Sequence, residues 1–214
     1  MTTAPPAPAP CATPLLLPPQ LRFNPEQFAL LCEANPEAVL ELSASGQLIQ
    51  TTPTGGDTSA RNTLLLYALQ HYARSQGGWK VFDSSGGFLL PDGSVLSPDA
   101  SLVRRERWQS LAPEQRRGFP PLCPDVVIQF SSPSDAGPRG LQALRLKMNI
   151  YRANGAQLGW LLIAEQQEQA VEIWRPAGGG GPAAAPQRLE PPLATLSDPL
   201  LPGLQLDLAE LWAG

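Results

Sequence analysis

Between Leu122 and Asp135 the chain reads LCPDVVIQFSSPSD. The run from Val126 to Phe130 is apolar but for one residue, and proline- and serine-rich turn formers close it on both sides. A run this short and this apolar reads as a buried strand that ends in a turn. Two polar side chains interrupt it, Asp125 at its mouth and Gln129 inside it. Successive strand residues face opposite ways, so Asp125, Val127 and Gln129 share one face and Val126, Ile128 and Phe130 the other. An amide stands at Gln129, where a buried carboxylate would make sense as a metal ligand.

The surrounding pattern places this strand in a larger sheet. NPEQFALLCEANPE predicts a short helix, with Asn24 as its cap and Pro25 at its first position. AVLELSASGQLIQTTP predicts a hairpin, Val39 to Leu42 and Leu48 to Thr51. A long helix should open near Asp57 or Thr58 and close at Gly77-Gly78, with residues 64, 65, 68, 69 and 72 on its apolar face. KVF, GGFLL and VLSPDASLV read as strands, with PDGS as a tight turn among them. RRERWQSLAPEQRRG is a basic connection holding a helical turn or two. GLQALRLKMNIYRANG reads as a helix with Leu141, Leu144, Met148 and Tyr151 on one face and Asn154-Gly155 ending it. QLGWLLIAE and QAVEIWRP make a further hairpin, and LPGLQLDLAELW closes the chain with a short strand and a helical turn. No internal repeat is visible. Helices and strands in this order predict a mixed α/β (α+β) domain around one sheet.

Composition narrows the class. A chain of 214 residues with 43% hydrophobic residues is long enough for one real core and short for two. Residues 1–19 are broken by prolines and are expected to be a disordered tail, leaving 20–214 as a single domain. AGGGGPAAAP is expected to be a mobile surface loop. No apolar run approaches the roughly 20 residues of a membrane span. Three cysteines without metal-ligand spacing suggest a reducing cytoplasm. A net charge of −4 argues against a non-specific nucleic-acid coat, though not against an enzyme with a local basic patch. The lone histidine, His71, argues against a histidine-based hydrolase or zinc site and reads as a surface residue. TPTGGDTS lacks the Lys-Ser/Thr ending of a phosphate loop. Arg104, Arg105, Arg107, Arg116 and Arg117 read either as a solvated face or as a patch for a DNA backbone.

Two acids follow prolines at the mouths of strands, Asp99 in SPDASLV and Asp125 in CPDVVIQF. Asp99 meets Gln129 if their strands are neighbours, and a helix packed on that sheet brings Lys147 to the same place. An acid, a second oxygen donor and a lysine suit metal-assisted phosphodiester hydrolysis. On spacing alone, the simpler reading makes the aspartates turn formers and Lys147 a solvated helix residue.

The ordered series LELSASGQLIQTTPTGGDTSARN, SPDASLV, PDVVIQFSSPSD, LRLKMNIYRANGAQLGWLLI, VEIWRP and LPGLQLDL resembles the Uma-type restriction-endonuclease family, over residues 20 to 212. That family is abundant in cyanobacteria and assigned to the PD-(D/E)XK nuclease superfamily. The resemblance implies a restriction-endonuclease-like fold, a mixed central sheet flanked by helices, and a Mg²⁺- or Mn²⁺-dependent DNA endonuclease. It makes Asp99 the metal-binding aspartate and puts Gln129 where the family usually has glutamate. Ser131 falls where the superfamily motif has its lysine, which matches Lys147 on the next helix instead; Glu41 completes the pocket. The implied site is therefore Asp99, Gln129 and Lys147 for catalysis, and Asp99, Gln129 and Glu41 for the metal, with Asp125 as an auxiliary. Cutting both strands implies a homodimer. The departure at Gln129 removes one negative charge, so a degenerate nuclease fold that binds DNA or a protein partner without cleavage is the alternative.

Overall fold

A computed structural model describes residues 18, 20–50, 55–131, 140–165, 168–176 and 185–213. The expected tail apart from Pro18, the SPSD of the SSPSD turn and most of the glycine-rich segment lie outside these residues. The chain runs α1 (Pro25–Ala34), β1 (Leu40–Leu42), β2 (Leu48–Gln50), α2 (Gly56–Gln76), β3 (Trp79–Asp83), β4 (Phe88–Leu89), β5 (Val95–Leu96) and β6 (Ala100–Arg104). It continues through α3 (Arg105–Ser110), α4 (Pro113–Arg117), β7 (Val126–Phe130), α5 (Leu141–Ala153), β8 (Leu158–Glu165) and β9 (Glu168–Trp174). β10 (Gln187–Leu189), β11 (Thr195–Leu196), β12 (Leu206–Asp207) and α6 (Leu208–Ala213) complete it.

The main sheet has the order β10-β9-β8-β7-β6-β3. Its pairs are antiparallel except β7 with β8, which the α5 crossover makes parallel. All five residues of β7 are buried, as a central strand covered on both faces requires. The expected alternation holds. Val126, Ile128 and Phe130 pack with Leu65 and Leu69 of α2 and Leu208 and Leu211 of α6. Val127 packs on the other face with Met148 and Tyr151 of α5. Helices thus cover both faces, giving the mixed α/β layering expected of the chain.

α1 starts where its cap requires. The Asn24 side chain accepts from the Gln27 N–H at 2.8 Å, and the Gln27 side chain accepts from the Asn24 N–H at 3.0 Å. Such a reciprocal cap stabilises a helix start by about 1 kcal/mol. α1 buries Phe28 against Leu42 and Val95 of a second, smaller sheet ordered β2-β1-β5-β4.

VLSPDASLV departs from its expected form. It is two strands in two sheets, β5 in the small one and β6 in the main one, with Ser97-Pro98-Asp99 between them. Pro98 has no N–H to give a ladder, and the chain changes sheets where a bond would be missing. β10 and β11 carry no strand signal in the sequence, since both are short and lack an alternating apolar pattern.

The β1–β2 hairpin turns at Gly46, whose φ of +79° suits only glycine, and a Cβ there would lie 2.7 Å from the Phe23 carbonyl oxygen. Gly46→Ala should therefore cost about 2 kcal/mol, since both the dihedral and a rigid backbone atom oppose it. A chemical denaturation series would show this as a lower midpoint with an unchanged slope; an unshifted midpoint would contradict it.

Candidate functional site

The polar cluster forms where the two sheets meet. The β6–β7 register pairs Ala100 with Ile128, and one further step sets Asp99 across from Gln129. Asp99 Oδ2 accepts the Phe130 N–H at 2.7 Å, which extends the ladder by a side chain where Pro98 ends it. Gln129 is 2% exposed, on the face that α5 covers. From α5, Lys147 reaches toward the small sheet. Its ammonium is 2.7 Å from Glu41 Oε1 and donates to the Ser97 carbonyl at 2.8 Å. The same Glu41 oxygen accepts the Ser97 N–H at 2.7 Å. Glu41 is buried on β1, so its charge is compensated by one ammonium and one amide.

Asp99, Gln129, Lys147 and Glu41 therefore gather at one end of the sheet, linked through Ser97 and Phe130. Asp125 does not join them. It stands at the opposite end of β7, where its Oδ2 accepts the Arg104 N–H at 2.8 Å and its Oδ1 pairs with Arg107 at 2.8 Å. An acid four residues from Gln129 along a strand is about 13 Å away, because each residue advances the chain by about 3.3 Å. Asp125 therefore stands apart from the cluster. Ser131 accepts the Ala164 N–H at 3.3 Å and holds β8.

Tyr151 is a member of the cluster that its sequence context did not single out. It lies one helical turn beyond Lys147, and that i, i+4 spacing was the available signal. Its hydroxyl faces the Gln129 amide and lies near Glu41, Cys123 and Asp99. Neither the Tyr151 Oη nor the Gln129 Nε2 completes a hydrogen bond among the described residues. Burial, reinforced by the Glu41 charge, pushes the Tyr151 phenol well above its ordinary range. Burial likewise pushes the Cys123 thiol up to about 12, so neither group ionises near neutrality. The Tyr151 hydroxyl and the Gln129 amide thus form the buried polar floor of the cluster.

The oxygen donors Asp99, Gln129 and Glu41 are of the hard kind that Mg²⁺ or Mn²⁺ prefers. Among the described residues no group of three or more His, Cys, Asp or Glu side chains could hold a metal ion. Gln129 contributes an amide oxygen to the cluster and no charge. The donor types fit a divalent cation, held with less charge than three carboxylates would give.

Several other polar and aromatic side chains serve the fold. Trp160 and Trp174 are buried in the core. His71 is exposed and stacks on Tyr67 at 6.3 Å. Arg104 lies over the Trp79 ring at 4.3 Å, and Arg145 pairs with buried Glu172 of β9. No helix among the described residues is long and apolar enough to cross a membrane.

A mixed sheet with helices on both faces is the frame of a restriction-endonuclease-like protein. The chain belongs to the Uma2 family, described as "putative restriction endonuclease", whose model matches residues 25–209. It is also similar to the crystal structure of a "putative nuclease belonging to DUF820" from Anabaena variabilis, with a TM-score of 0.69 and 21% identity. That likeness covers 89% of this chain and 98% of the other, and at this identity it speaks for the fold. No curated protein matches the chain.

Proposed function

We propose that the protein is a DNA endonuclease of the PD-(D/E)XK type, dependent on Mg²⁺ or Mn²⁺, with Asp99, Gln129 and Lys147 as its working residues. The observation that carries this reading is the register that sets Asp99 opposite Gln129 on the face under α5. Asp99, the Gln129 carbonyl and Glu41 would hold the cation. When bound, it supplies Lewis-acid charge at the scissile phosphate. Lys147 stabilises negative charge on the phosphate oxygens, exchanging Glu41 for the substrate. Asp99 is fixed by the Phe130 N–H, so one of its oxygens is oriented before any ligand arrives. Cleavage of both strands calls for two such sites, hence a homodimer, and a cytoplasmic setting suits a DNA substrate and unpaired thiols.

A second reading, a nuclease fold that binds without cleaving, is favoured by one observation: Glu41 is already neutralised by Lys147, and Gln129 adds no charge. Supercoiled plasmid incubated with Mg²⁺ or Mn²⁺ separates the two. We expect relaxed circles from the wild type and about 100-fold less from Asp99→Ala, as befits loss of a metal ligand. Wild type that leaves the plasmid intact with either cation, or an undiminished Asp99→Ala, would give the second reading its case.

A further inference from the structure

β3 is an outer strand of the main sheet, and a cleft of about 350 Å³ opens along it. Arg74 from the last turn of α2, Lys80 from β3, Arg105 from α3 and Arg116 from α4 line it, with Trp79 and Trp108 as its aromatic walls. All four cations are exposed, and no carboxylate is among the described lining residues. In a chain of net charge −4, four cations gathered without an acid are not an average surface. Two of them, Lys80 and Arg116, are held from behind. The Lys80 ammonium lies 5.2 Å from the centroid of the Trp108 ring and 5.7 Å from that of Phe82. Arg116 Nε donates to the Leu111 carbonyl at 2.9 Å. Lysine and arginine fixed on ring faces and carbonyls lose less freedom on meeting an anion.

The cleft does not end there. Trp108 and Arg116 also line a second hollow of about 410 Å³, which continues past Phe82 to Gly87 and Phe119 and carries Arg117 and one acid, Glu33. Phe82 and Asp83 pair with Ser101 and Ala100, so the groove's far end comes level with Asp99. The five residues of β3 span roughly 17 Å, about five phosphate steps of one DNA strand.

We propose that this groove binds the phosphodiester backbone of DNA and leads it along β3 toward the end of the sheet that carries Asp99. It divides the arginine-rich segment by role. Arg104 and Arg107 serve the fold, through Trp79 and Asp125. Arg105 and Arg116 face the ligand, together with Arg74 and Lys80 from earlier in the chain. The choice of DNA as ligand rests on the nuclease reading above; the anion site rests on the groove itself.

The test is fluorescence anisotropy of a short labelled DNA duplex with the full chain in EDTA, across a salt series. Arg74→Gln with Arg105→Gln should weaken binding about tenfold at low salt and lower the log-log salt slope by about 2, roughly one unit for each phosphate charge that the protein no longer neutralises. Both side chains are exposed, so an unchanged melting curve confirms that the double variant is folded. A double variant with wild-type affinity and slope, or a wild type that binds no duplex, overturns the proposal. Failure of the two readings is distinguishable. Groove-dependent binding without nicking leaves the groove standing and removes the cleavage. Nicking that is indifferent to the double variant does the reverse.

Discussion

Gln129→Glu is expected to make the protein's stability depend on divalent cations. The two side chains are nearly the same shape, so packing around a residue 2% exposed should survive the exchange. What changes is one charge, placed opposite Asp99 and beside the Tyr151 hydroxyl. Without a cation, the new carboxylate is buried near another acid and costs about 1–3 kcal/mol at neutral pH. Its pKa is then raised in the folded state. The deficit is therefore full at neutral pH and disappears as the pH falls and the group is protonated in both states. With a cation, the same carboxylate is a charged ligand, and a site filled at 100 times its dissociation constant returns about 2.7 kcal/mol. For a chain of this length each kcal/mol moves the melting temperature by about 2–4 °C, so the rescue is measurable. Melting curves of wild type and variant with and without Mg²⁺, read beside the plasmid assay, check it. A variant whose loss Mg²⁺ does not reverse would remove the metal site from consideration.

Lys147→Met should destabilise the fold more strongly. Glu41 is buried and would keep only its amide partner, and truncating one member of a buried pair costs about 3–5 kcal/mol. A merely solvated lysine would cost little on replacement. Adding Glu41→Gln to Lys147→Met should recover much of the loss, because the stranded charge goes with its partner. Nuclease activity should stay absent in both. Urea titrations of the two single variants and the double variant give the coupling directly; additive losses would contradict the pairing.

What could be read in advance follows from how local each signal is. The α1 cap, the PDGS turn, the apolar faces of α2 and α5 and the five residues of β7 all come from patterns within a few positions. Strand alternation told which face Gln129 occupies, and the run of motifs resembling one family suggested which distant residues to bring together. Pairing across sheets has no such local mark. Nothing near Glu41 announces that Lys147, 106 positions away, supplies its counter-charge. Asp125 shows the complementary limit: alternation fixes a side, while position along the strand decides the neighbours. The groove along β3 draws on α2, β3, α3 and α4, and only two of its four lining cations lay in the segment that looked basic.

The break at Pro98 sets the polar cluster on a seam between two sheets that share one core. Glu41 is anchored on one plate of the molecule and Asp99 leads into the other; Ser97 and Pro98 carry the chain between them, and Lys147 reaches across from α5. In the proposed cation site, affinity would depend on how the plates are seated as much as on the donors they carry. The small apolar wedge of Phe28, Leu42 and Val95 under the lesser plate acts as its shim. A change in that wedge's thickness retunes the distance between two carboxylates that it never touches.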